Sequence, residues 1–164
     1  MKIFLNIFMF ATLILGVMPI PHAFAQGSYE KNKEEIKLTA SIINLERKEI
    51  IGQNLDLSND EEWRFWSLYN EYRLTMNEVG KRKIKLITDY ADSIKNGNLS
   101  DAEALRLLKE FISIERAKLT RREEYIPKFQ EVLPTKKVVL LFQIENKIDA
   151  ALNLELAKVI PLVK

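Results

Sequence analysis

Apolar residues recur along this chain at alternating three- and four-residue steps, the period that sets one face of an α-helix against a core. The longest run is Phe65, Tyr69, Tyr72, Met76, Val79, Leu86 and Tyr90, with Lys83 in the same phase. It predicts a helix from Asn59 to about Lys95, ~55 Å long at 1.5 Å per residue. Upstream, Ile36, Ala40, Ile43 and Ile50 mark one side of a first helix from about Glu30, with Lys37, Asn44, Arg47 and Lys48 elsewhere and Gly52 as its natural stop. Downstream, Leu105, Leu108, Phe111, Ile112 and Leu119 are expected to point inward from a third helix, which Pro127 should kink before Phe129 and Val132. A fourth carries Val138, Leu141, Ile148, Leu152 and Val159 on one line and Leu140, Ile144, Ala151 and Leu154 on another, a face wide enough for contacts on two sides. No stretch alternates with the period of a strand. The expected fold class is all-α, a four-helix domain whose second and third helices are long.

The helix starts share a layout. Leu57-Ser58-x-x-Glu61 is a capping box, in which the serine oxygen accepts from the third helical amide while that residue's carboxylate reaches back. Leu99-Ser100-x-x-Glu103 repeats it directly after Asn96-Gly97-Asn98, the clearest turn in the chain. Leu133-Pro134-x-x-Lys137 is a third leucine-led start, with proline suited to an early helical position.

Residues 1–25 carry a different pattern. Lys2 precedes an almost wholly apolar run from Ile3 to Val17, prolines follow at 19 and 21, and Ala23-Phe24-Ala25 supplies small residues for cleavage. That order is the one a secretory signal peptide requires, so residues 1–25 are expected to be removed and 26–164 to form a single exported all-helical domain. Ile160-Pro161-Leu162-Val163 closes the chain as a short apolar tail, expected to pack on the bundle.

Composition then narrows the chemistry. The one histidine, His22, lies in the leader and there is no cysteine, so the remaining chain has neither imidazole nor thiol. Thiolate nucleophiles, Ser-His-Asp triads and His or Cys metal sites are excluded by inventory. No catalytic residue, cofactor or metal is expected, and Asn59-Asp60-Glu61-Glu62 is read as favourable charge at a helix start. Without Lys2, 24 basic residues face 23 acidic ones, a balance that does not call for nucleic acid.

What remains is protein binding. Trp63 and Trp66 lie one turn apart, and one of them is expected to stay partly exposed as an anchor. Gly80 interrupts the long helix at a cost of ~1 kcal/mol, which asks for a bend or a close helix approach. Beside it, Lys81, Arg82, Lys83 and Lys85 form either a solvated face or a docking patch, so Trp63, Trp66, Lys81, Arg82 and Lys85 are the candidate partner-binding residues. Glu115 and Arg122, two turns apart, are read as the third helix's stripe drifting toward solvent rather than as a buried pair.

A leader followed by long helices with leucine-led starts resembles the Spy/CpxP group of periplasmic proteins, whose hallmark is a repeated Leu-Thr-x-x-Gln motif. The matching positions are Leu57-Ser58-x-x-Glu61 and Leu133-Pro134-x-x-Lys137, with serine and proline in place of threonine and glutamate and lysine in place of glutamine. The chain more closely resembles uncharacterised exported helical proteins, which carry no established activity, with a Trp/Phe-Trp-x-Leu-Tyr-x-Glu-Tyr block, here Phe65 to Tyr72, and a Val-Leu-Pro-x-x-Lys block, here Val132 to Lys137, followed by Gln143 to Lys147. The Spy/CpxP resemblance implies a non-enzymatic protein, either an ATP-independent chaperone for unfolded clients or a regulator bound to the periplasmic part of one membrane sensor. It also implies a homodimer built as a curved helical hairpin.

Overall fold

The computed structural model describes residues 45–160 together with 38, 41 and 43. The leader, the first half of the first helix and positions 161–164 lie outside the described residues, which all belong to one compact unit, Asn32–Lys164. Four helices and no strand make up the described residues: α1 (45–55), α2 (Asn59–Lys95), α3 (Asp101–Gln130) and α4 (Thr135–Val159).

Local chemistry sets each boundary. Gly52 does not end α1, which continues to Leu55. The chain turns instead at Asp56, whose φ of 47° lies in the left-handed region that aspartate tolerates better than most residues. Gly52 serves packing: a Cβ there would lie 3.5 Å from the Trp66 ring, so α1 and α2 meet at this point. Ser58 caps α2, and its amide donates to the Glu61 carboxylate at 2.8 Å. Gly97, with φ of 63°, turns the chain between α2 and α3. Ser100 Oγ then accepts from the Glu103 amide at 3.2 Å, while the Glu103 carboxylate pairs with Arg106. Pro127 sits inside α3, which runs on to Gln130, short of the expected Val132, and Pro134 caps α4.

Two cores of unequal size result. Where α1, the first half of α2, the second half of α3 and α4 converge, Phe65, Tyr69, Tyr72, Tyr125 and Phe129 pack with ring centroids 5.2–6.2 Å apart. Ile51, Leu55, Leu133, Val138, Leu141 and Ile144 enclose them. Further along the α2–α3 hairpin, only Val79, Leu86, Leu107 and Ile114 form a buried cluster. Arg82 ties the hairpin there, donating to Glu110 at 3.0 Å and to Ser113 at 2.9 Å.

The inward face of α3 is not the expected one. Leu107, Ile114, Tyr125 and Phe129 are buried, whereas Leu105, Leu108, Phe111, Ile112 and Leu119 are all exposed. The buried and exposed lines lie ~120° apart around the helix at 100° per residue. α3 is apolar on two sides, and among the described residues only one of them finds a neighbour. On α4 the line through Val138, Leu141 and Ile148 is buried together with Ile144, while Leu140, Ala151 and Leu154 face outward.

Candidate binding surfaces

Two of the three leucine-led helix starts meet in space. Lys137, third residue of α4, donates to the Glu61 carboxylate at 2.6 Å and to the Asp56 carbonyl at 2.5 Å. Leu133 is buried in the aromatic core and Leu57 packs against it. The Glu61 pKa is lowered by this bond from Lys137 and by the Ser58 amide. One lysine therefore fastens the start of α4 to the α1–α2 turn and the start of α2. Leu99 packs on the smaller core at the far end of the hairpin.

Behind these caps lies a buried ionic cluster. Arg47 of α1 donates to Glu145 and, at 3.0 Å, to Asp149, both on α4. Tyr69 Oη donates to Glu145 at 2.6 Å, and Arg73 stands 3.6 Å from the same carboxylate. Lys118 at 2.7 Å and Arg122 at 2.9 Å reach Asp149 from α3. Arg122 is thus a partner of α4 at the core edge, and Glu115 lies 3.9 Å from Lys83. Burial works against the Arg47 charge, but Glu145 and Asp149 outweigh it and raise its pKa. Burial likewise works against ionised Asp149, but Arg47 and Lys118 hold its pKa below the usual range. Burial, with Glu145 nearby, pushes the Tyr72 hydroxyl up to about 12. Three buried polar atoms of this neighbourhood have no hydrogen-bond partner: Arg47 Nε, Arg122 Nε and Tyr72 Oη.

The five candidate partner-binding residues fall in four places. Trp63 is 71% exposed. Trp66 is half-buried between Phe65 and Tyr69, under Lys48 at 5.8 Å, and belongs to the α1–α2 seam. Lys81 and Lys85 lie eighteen and more residues further along α2, ~27 Å from Trp63. They pair with Glu78 and Asp89 on the surface and border a groove of about 570 Å³. Arg82 holds α3 instead. Gly80 also lines the groove, and a Cβ there would meet nothing within 4 Å, so no close helix approach explains it.

A larger surface is the outward side of α3. Leu105, Ile112, Leu119 and Ile126 recur every seven residues, Leu108 joins them, and the stripe is ~32 Å long. Exposed Lys109, Arg116 and Glu123 flank it. Contiguous exposed apolar surface of this kind marks interaction sites.

Sequence periodicity placed these leucines inside because it shows that a face is apolar, not whether a neighbour covers it. The ionic cluster had a readable trace: Arg47 lies midway between Ile43 and Ile51, and Glu145 follows Leu141 by one turn, each charge in phase with a core line. Nothing local pairs residues 98 positions apart, so their meeting emerges only in the fold. Among the described residues no helix is long and apolar enough to cross a membrane, and no group of three or more acidic, His or Cys side chains is placed to hold a metal. Comparison of the chain with protein-family models, with curated proteins and with solved structures finds no match.

Proposed function

We propose that the protein is a non-enzymatic, Spy/CpxP-like helical binding protein of the periplasm, which holds unfolded client chains without nucleotide. The observation that carries this reading is the exposed apolar stripe of α3, with charged residues along its edge. Its side chains lie along one exposed helix face, so they suit many weak, adaptable contacts better than one rigid ligand. Exposed Trp63 adds an aromatic contact on α2. The leader-like order of residues 1–25 is the support for export, and the near balance of charges speaks against nucleic acid.

The test is light scattering of an unrelated unfolding protein with and without the purified chain. Suppression near stoichiometric ratios, absent with an inert helical control, is the expected result. No suppression at several-fold excess of folded protein rejects general chaperoning.

A second reading rests on the seven-residue spacing of Leu105, Ile112, Leu119 and Ile126, since such a repeat packs along one defined helix. That helix would belong either to the periplasmic part of a membrane sensor, making this chain its regulatory subunit, or to a second copy in a homodimer. Sedimentation at micromolar concentration separates the two: a dimer that Ile112→Glu dissociates supports self-pairing. A monomer that crosslinks to one envelope protein supports the regulator.

A further inference from the structure

The groove beside Gly80 and the ionic cluster together carry an inference that is independent of the α3 stripe. Side chains from all four helices line it, with Met76, Val79, Ile84, Ile114, Leu152 and Leu156 supplying apolar surface. Its volume of about 570 Å³ falls within the ~300–1,000 Å³ typical of small-ligand sites. Cations dominate its polar lining, where Arg47, Arg73, Lys81, Lys83, Lys85 and Lys118 stand against Glu115 and Asp149. Lys81 and Lys85 also have exposed partners in Glu78 and Asp89, pairs that contribute little in water. The deeper charges decide the matter.

Among the described residues, Lys83 and Lys118 of the groove and Arg47 and Arg122 of the cluster beside it have Glu115, Glu145 and Asp149 as their carboxylate partners. The excess on the lining is cationic. Lys83 shows the deficit most clearly. Its side chain is partly buried, its short bond goes to the neutral amide of Asn153 at 2.7 Å, and its carboxylate partner Glu115 is 3.9 Å away. Burial, incompletely offset by Glu115, lowers its pKa. A charge held partly out of water and bonded to a neutral acceptor gains from a closer counter-charge. An anion with an apolar tail answers both halves of the lining, and the missing side chain at position 80 leaves the entrance open.

We propose that this groove binds a single-chain anionic amphiphile, with Lys83 anchoring a carboxylate or phosphate head and the alkyl chain lying on Val79, Ile114 and Leu156. The size of the groove favours such a molecule over an acidic peptide, which needs a longer track. Binding weakens with salt in so far as Lys81 and Lys85 at the rim contribute.

Calorimetric titration of the purified full chain with laurate, and separately with dodecyl phosphate, each below its micellar concentration, tests this. Dodecyltrimethylammonium is the control of opposite charge. Saturable binding at one site per chain is expected for an anion, at least about tenfold tighter than for the cation (about 1.4 kcal/mol). The preferred anion tells a fatty-acid-like head from a phospholipid-like one, and either preference supports the proposal. Lys83→Gln should weaken binding about tenfold or more. Gly80→Leu should abolish it by filling the groove, and because position 80 is open and helical this variant stays folded, as its melting curve will report. No saturable binding of either anion, whether the groove is closed by another part of the chain or by a second copy, overturns the proposal. So does equal binding of the cation, or affinity unchanged in both variants. None of these results bears on the α3 surface, so the two readings fail separately.

Discussion

The two ends of the long α2–α3 hairpin are built differently. At one end α1 and α4 join the hairpin, thirteen buried residues form the core, and a largely buried charged cluster borders it. Toward the other end two helices largely support each other, with four buried residues between them. The same helix is therefore rigidly specified in its second half and sparingly supported in its first, and its spare apolar face is left to the solvent. Four elements are enough to bury several apolar faces at once, while a pair can bury only the one between them.

Substitutions that strip each end should differ accordingly. Phe129→Ala removes a fully buried ring from the aromatic core and should cost about 3–5 kcal/mol, seen as loss of the cooperative melting transition or a large fall in its midpoint. Leu107→Ala, in the thin core, should instead fall near the lower end of the ~2–5 kcal/mol range for such truncations. Its effect should appear chiefly as faster amide exchange between residues 86 and 107, with the aromatic end still protected. Equal global effects from the two changes would erase the contrast.

The ionic cluster sharpens the comparison next. Glu145→Gln leaves Arg47 and Arg73 facing a neutral amide inside the bundle and should cost about 3 kcal/mol in chemical denaturation, because breaking a buried pair exposes the desolvation cost of the remaining charge. A loss below ~1 kcal/mol, the level of a surface pair, would mean that the cluster is solvated.

Acid should act on the same end. The folded-state pKa of Asp149 is depressed, so its contribution is fully present above the unfolded value of ~4 and is lost as pH falls through the lower folded value. Glu61, held by Lys137, has the same sign. The melting temperature should therefore hold near neutral pH and drop below about pH 4. The Asp149→Asn chain, weaker at pH 7, should lose less on acidification.

The smallest of these effects goes the other way. Gly80 pays the helical cost of glycine with no neighbour to require it, so Gly80→Ala should stabilise the chain by about 0.5–1 kcal/mol. A destabilised Gly80→Ala chain would show that the position needs glycine for folding rather than for open space.

Much of this architecture was legible because it is local. Ser58 and Glu61 placed the start of α2, Asn96-Gly97-Asn98 placed its end, and the seam from Phe65 through Leu86 is buried as its period predicts. Gly52 misled, since glycine serves equally as a helix stop and as room for a neighbouring ring, and only the position of Trp66 decides which. α3 misled for a related reason: its apolar line at 105, 112 and 119 is more regular than the one it buries, yet burial follows the neighbours available. The groove, assembled from all four helices, has no local signature beyond the unexplained glycine and the lysines beside it.

Client binding requires the outward face of α3 to be a working surface. The direct measurement compares the native chain with an Ile112→Glu, Leu119→Glu variant in the aggregation assay, with melting curves recorded in parallel. Both positions are exposed, so the variant's stability should stay within about 0.5 kcal/mol of the native chain's. Suppression by the native chain that disappears in the equally stable variant is the predicted result. Suppression that survives both substitutions would contradict the assignment of client binding to this face.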